Sequence, residues 1–193
     1  MENKKTPIGT YGYVDELKQK SRTNMIVYFV FAAALLAASF LIMKTMLSAF
    51  TVASIAMIIP AFQGWKQYMN VKEFTSCNPD EYTKISEIVK GKLFIVLLSD
   101  LVLSSTKGEM MLNMAVIYNN NIYGYAPKQQ HSVEEIEELL TELLTEENIS
   151  SKKPVVHENF DEFEEMILML ASNEPSSAQD VGRIYHQIAS CCL

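Results

Sequence analysis

The sequence predicts an α/β (α+β) protein in two parts: an N-terminal hairpin of two transmembrane helices, then a small mixed-sheet domain of order α-β-β-β-α-β-α-α. Three observations predict it. From Met25 to Trp65 a single charged residue, Lys44, interrupts an apolar run. The charge divides sharply along the chain: +4 up to residue 78 and −11 beyond it, for a total of −7. Beyond Asn78, helix-capping residues alternate with short apolar runs of strand length.

Lys44 divides the apolar run into 25–43 and 45–65. At ~1.5 Å per residue each piece spans roughly 28–32 Å, close to the ~30 Å hydrocarbon core of a bilayer. A lysine at the turn of a hairpin reaches water or headgroups, whereas one at the middle of a buried helix is costly. Ala33 and Ala37, Ala34 and Ala38, then Ala49, Ala53 and Ala56 recur at helical spacing, and small residues let two backbones approach closely in lipid. Pro60 falls near the end of the second span, where a break costs least. Trp65, Tyr68 and Tyr28 suit the interface.

Lys18, Lys20 and Arg22 precede the first span and Lys66 and Lys72 follow the second. The positive-inside rule therefore puts both termini in the cytoplasm, and Lys20, Arg22, Lys44, Trp65, Lys66 and Tyr68 are expected at the membrane interface; the compact chain without eukaryotic sorting signals is expected in a bacterial plasma membrane. A cleavable signal ending near Ala37-Ala38-Ser39 is the rival, but the run is longer than a signal core. The remaining organisation is residues 1–24 with a short amphipathic helix over Val14–Arg22, a linker over 66–78 and the cytoplasmic domain over 79–193.

In that domain Asn78-Pro79-Asp80-Glu81 opens a helix that ends before Gly91. Leu93–Leu98 reads as a buried strand, bent at Ser99-Asp100 and continued over Leu101–Ser105. Met111–Tyr118 and Ile122–Ala126 flank Asn119-Asn120-Asn121, a hairpin signal because Asn tolerates positive φ. Ser132-Val133-Glu134-Glu135 is a capping box, and the glutamates after it form a solvated helix face. Lys153–His157 fits a short strand, Asn159 and Glu162 cap a further helix, and a last helix begins near Ser177.

The helix, three strands, helix, strand order over Pro79–His157 resembles the restriction-endonuclease-like fold, including membrane-attached nuclease-related domains. That resemblance implies an Asp on the second strand and Glu-x-Lys or Asp-x-Lys on the third, holding magnesium beside the scissile phosphate. Here Asn113 stands where the Asp is expected, Ile122-Tyr123-Gly124-Tyr125 has no carboxylate, and Lys128 is wrongly spaced. If the fold is of this kind, its site is degenerate. The two-span layout also resembles bacterial membrane proteins with a small cytoplasmic domain, a likeness that implies no activity.

No other constellation points to catalysis. His131, His157 and His186 lie far apart, without ligand spacing. No phosphate-binding glycine loop and no Gly-x-Ser-x-Gly elbow occurs. Cys77, Cys191 and Cys192 match neither a disulfide framework nor a zinc site; they read as free thiols, with acylation of the last two as the alternative. Tyr118, Tyr123 and Tyr125 read as sheet packing. The acidic second half disfavours nucleic acid as partner.

The expectation is thus a membrane-anchored, non-enzymatic interaction or scaffold protein without cofactor. Its partners are the lipid bilayer and either another protein or a second copy docked through the Ala-rich hairpin. The alternatives are a metal-dependent hydrolase built on Glu87, Asp100 and Glu109, and an accessory subunit of a membrane complex.

Overall fold

The computed structural model describes residues 7–43, 49–92, 94–105, 107–127, 131–146, 153–173 and 181–192. The chain forms two compact units: the stretch up to Val14 together with Thr75–Leu193, and the intervening Asp15–Phe74.

The intervening unit consists of α1 (Tyr13–Met43) and α2 (Ala49–Val71). The short helix expected over Val14–Arg22 is not separate; neither Gly nor Pro occurs in Tyr13–Met43, so helix runs unbroken into the apolar stretch. Helix α2 continues past Trp65 to Val71, and the linker expected from residue 66 begins only at Lys72. Pro60 lies inside α2 without ending it. The helices pair antiparallel: Ser39 Oγ lies 3.1 Å from Thr51 Oγ1, Ser54 Oγ donates to Ala32 O at 2.8 Å, and Ser21 Oγ to Gln67 Oε1 at 3.0 Å.

Among the described residues one helical stretch, Tyr13–Leu41, is long and apolar enough to cross a membrane. Two had been expected. Pro60, Gln63, Lys66 and Gln67 dilute the apolar character of α2, and Lys44 with the start of the expected second span lies outside the described residues.

The other unit is a four-stranded sheet between two helical layers. Its elements are α3 (Pro79–Val89), β1 (Ile95–Ser105), β2 (Gly108–Tyr118), β3 (Asn121–Tyr125), α4 (Val133–Glu146), β4 (Val155–His157), α5 (Phe160–Ala171) and α6 (Val181–Ser190). The order α-β-β-β-α-β-α-α is as expected; only the beginning of the last helix near Ser177 lies outside the described residues. Strand order is β1-β2-β3-β4, with β1, β2 and β3 an antiparallel meander and β4 parallel to β3.

Side chains of α4 and α6, including Ile136, Leu140, Ile184 and Ile188, pack on Leu112, Ala115, Ile117 and Ile122. Ile85 of α3 and Phe163 and Ile167 of α5 join Met114, Val116, Tyr118 and Tyr125 in a second core. Residues 115 and 117 therefore face one helical layer and 114, 116 and 118 the other, the alternation that a strand buried on both faces requires.

That alternation shifts by one residue where Asp100 of β1 lies across from Asn113 of β2. Leu98 and Leu101 belong to the same core although three residues apart, as do Leu112 and Ala115. Asp100 takes the left-handed conformation (φ 53°), which resets the phase of β1 without changing its register.

Candidate functional site

On α1 the less exposed positions Ser21, Met25, Tyr28, Ala32, Leu35 and Ser39 recur at alternating spacings of four and three. On α2 Ser54, Met57, Ala61, Gly64, Tyr68 and Val71 recur at three and four. This heptad-like seam suits helices crossing at a shallow angle. A Cβ on Gly64 would lie 3.2 Å from Met25 N and 3.3 Å from Ser21 O, so any larger side chain requires the facing backbone to give way by a few tenths of an ångström. Ala33, Ala34, Ala37, Ala49 and Ala56, expected to line the contact, face outward, and Ala32, Ala61, Gly64 and three serines are the small residues of the seam instead. The seam carries no compositional signature, because its members are chemically mixed and only their spacing is regular.

The outside of the pair is apolar. Phe29, Val30, Phe31, Phe40, Leu41, Val52, Ile55, Ile59 and Phe62 are all exposed, and 11% of the most apolar window of α1 is buried. Lys20, Arg22, Trp65 and Lys66 are exposed and Tyr68 is half-buried; Lys44 lies outside the described residues. The Lys18 ammonium donates to Phe74 O, joining the first turns of α1 to the residues after α2.

The other concentration of polar chemistry surrounds Asp100, which is 0% exposed. Its two carboxyl oxygens accept from Gly12 N at 2.7 Å and Cys77 N at 2.8 Å. Asn113 Nδ2 donates to Thr75 O at 3.2 Å. Ser99 N donates to Gly9 O at 2.9 Å, and Tyr11 stacks on Tyr82 with ring centres 5.0 Å apart. The segments before α1 and after α2 are thus held side by side on β1 and β2.

Cys77, Glu81 and Tyr125 lie next to this node. Burial, then the neighbouring Asp100 and Glu81, push the Cys77 thiol up to about 12. Burial raises Glu81 above the usual carboxylate range, against a hydrogen bond with Tyr125 and the nearby Lys84. Burial and Glu81 bring the Tyr125 phenol to about 12. A thiol held protonated is a poor nucleophile and a poor metal ligand, and Cys77 and Tyr125 both belong to the second core.

The residues proposed for metal chemistry do not converge. Glu87 is exposed on α3, and Glu109 pairs with Ser104, four residues along β1 from Asp100, or about 13 Å at ~3.3 Å per residue. Asp100 spends both oxygens on backbone N–H groups, and β3 carries no carboxylate. Lys128 lies outside the described residues. No group of three or more His, Cys, Asp or Glu that could hold a metal ion occurs among the described residues.

The histidines are likewise apart. His131 Nδ1 is 3.2 Å from Glu135, His157 Nδ1 is 3.3 Å from Glu162, and His186 packs edge-on to Tyr185. The acidic face of α4 is neutralised in part by Lys107 on exposed Glu138 and by Lys153 on Glu137, whose carboxylate is largely covered and also accepts from Val156 N. Cys192 forms an isolated bridge to Leu103, and burial raises its thiol to about 12. Tyr118 and Tyr125 belong to a core and Tyr123 packs against it.

Comparison with family models, with curated proteins and with solved structures gives no match to this chain.

Proposed function

We propose that the chain is a non-enzymatic, membrane-anchored binding protein: α1 and α2 cross a plasma membrane as a hairpin, both termini lie in the cytoplasm, and the α/β unit is an interaction module tethered at the bilayer. One observation carries this reading, the inverted polarity of the helical pair. Ser21, Ser39, Ser54 and Gly64 lie in the seam while Phe, Ile, Val and Leu cover the outside. In water such a pair exposes what the hydrophobic effect would bury; in hydrocarbon the same arrangement buries its polar groups and meets lipid with its apolar ones. A core helix of a soluble domain has most of its apolar surface covered, and α1 does not.

Tethering supplies the function without catalysis. Confinement at a surface raises the effective concentration of the α/β unit toward other membrane-bound partners. The committed oxygens of Asp100 and the bare β3 weigh against the hydrolase.

Fractionation and topology mapping test the reading together. The full chain should sediment with membranes, resist alkaline carbonate and dissolve in detergent, and reporters at either terminus should be active only in the cytoplasm. A chain left in the high-speed supernatant without detergent rejects the anchor. Opposite sides for the two termini reject the second crossing.

A further inference from the structure

Along one face of α1 the residues change character in order, and Tyr68 of α2 closes that face into a groove of about 480 Å³. Asp15 comes first, then Lys18 with the uncharged Gln19, then Arg22 with Thr23, and finally Ile26, where the apolar stretch begins. At ~1.5 Å per residue, the lysine lies about 4–5 Å, the arginine about 10 Å and the isoleucine about 16 Å beyond the acid along the axis. The sequence is therefore acid, cation, cation, apolar, read toward the membrane. The Lys18 ammonium donates to the Phe74 carbonyl and, among the groove's lining, is the cation nearer Asp15.

A phospholipid bearing a primary amine has the complementary order. Its ammonium is outermost, its phosphodiester lies a few bonds deeper, and its acyl chains follow. We propose that this groove holds the headgroup of a phosphatidylethanolamine-type lipid, with the amine on Asp15, the phosphodiester on Lys18 and Arg22, and the upper acyl methylenes along Ile26 beside the Tyr68 ring. Asp15 sets the selectivity. It repels the purely anionic phosphatidylglycerol headgroup, and it gains no N–H donor from the trimethylammonium of phosphatidylcholine. A positive collar alone would rank the lipids by net charge and favour phosphatidylglycerol. The inference rests on the membrane anchoring proposed above.

The test is native mass spectrometry of lipids retained by the full chain after extraction from vesicles holding equal parts of the three lipids. Phosphatidylethanolamine should be enriched about threefold over phosphatidylglycerol, the scale of a partly exposed ion pair. Asp15→Asn should abolish that preference while total retained phospholipid stays constant, and Arg22→Gln should lower retention of all three lipids by about threefold. Equal retention of the first two lipids by the unaltered chain, or a preference that survives Asp15→Asn, overturns the proposal. So does complete displacement of the lipid by inorganic phosphate, since the acyl contact at Ile26 would then contribute nothing. Sedimentation is measured beforehand, so a chain that never enters the vesicles is scored against the anchor itself.

Discussion

Asp100 meets two demands at once, a left-handed backbone and acceptance of two buried N–H groups. Asn satisfies the first and half of the second; Gly satisfies only the first; Ala satisfies neither. Stability of the detergent-solubilised chain should therefore fall in the order Asp100→Asn, Asp100→Gly, Asp100→Ala. The alanine variant should lose about 3 kcal/mol or more through two orphaned donors, and about 1 kcal/mol beyond glycine through backbone strain. Chemical denaturation gives the ranking, and equal losses for Gly and Ala would remove the conformational part of the argument. The cysteines make a second prediction. With the Cys77 and Cys192 thiols near 12 in the fold and near 9.0 when exposed, the unfolded chain loses protons first as pH rises. Their stabilising contribution is complete below about pH 9 and declines by up to ~1.4 kcal/mol per pH unit and thiol until about pH 12. Melts between pH 8 and 11 should show this decline, and Cys77→Ala should make it shallower. Alkylation at pH 8 should label half-buried Cys191 before buried Cys77, as peptide mapping will show. The bend at Ser99-Asp100 was legible because two polar residues interrupt an apolar run. The partners of the Asp100 side chain, 88 and 23 residues away, were not.

Elements with a local chemical signature were read directly. Asn78 and Asn159 cap α3 and α5 by accepting from Asp80 N and Asp161 N. Ser132 and Glu135 exchange the two bonds of a capping box, and Asn119 and Asn120 take positive φ in the β2–β3 turn. These signals sit within four residues of what they determine, so a single sequence is enough. The seam between α1 and α2 depends instead on which of several small residues face the partner, a choice made jointly by two helices. Gly64 gives the sharpest test. Gly64→Leu should force the backbones apart at Met25 and Ser21 at a cost of about 1–3 kcal/mol. Ser54→Ala, which removes one interhelical hydrogen bond, should cost only about 0.6 kcal/mol. Spin labels on the outward Ala37 and Ala56 report separation; an unchanged distance in Gly64→Leu would contradict the close approach.

At the scale of the whole molecule the order of α/β elements was legible, because caps and turns punctuate the chain. The allegiance of the first residues was not. Residues 7–14 read as part of a membrane-proximal segment, yet they pack in the α/β unit: Gly9 against Leu98 and Leu101, Gly12 on Asp100, Tyr11 on Tyr82. No periodicity or cap marks such a contact, since glycines and a tyrosine dock through backbone atoms and a single ring. The consequence is testable on the full architecture. Gly12 N and Cys77 N bond opposite oxygens of one carboxyl group, so the strands of chain entering and leaving the helical pair lie within a few ångströms of each other. A Gly/Ser linker of about six residues reaches roughly 12–15 Å, ample to span that gap. Replacing Asp15–Phe74 by such a linker should therefore leave the α/β unit folded and free of membranes. Deleting everything before Thr75 should instead leave Asp100 with one donor in place of two and strip the cover from Leu98 and Leu101, lowering stability by about 2–3 kcal/mol relative to the linked form. Equal midpoints and slopes for the two forms in urea would mean that residues 7–14 contribute nothing to the unit, and that Asp100 anchors only the chain leaving α2.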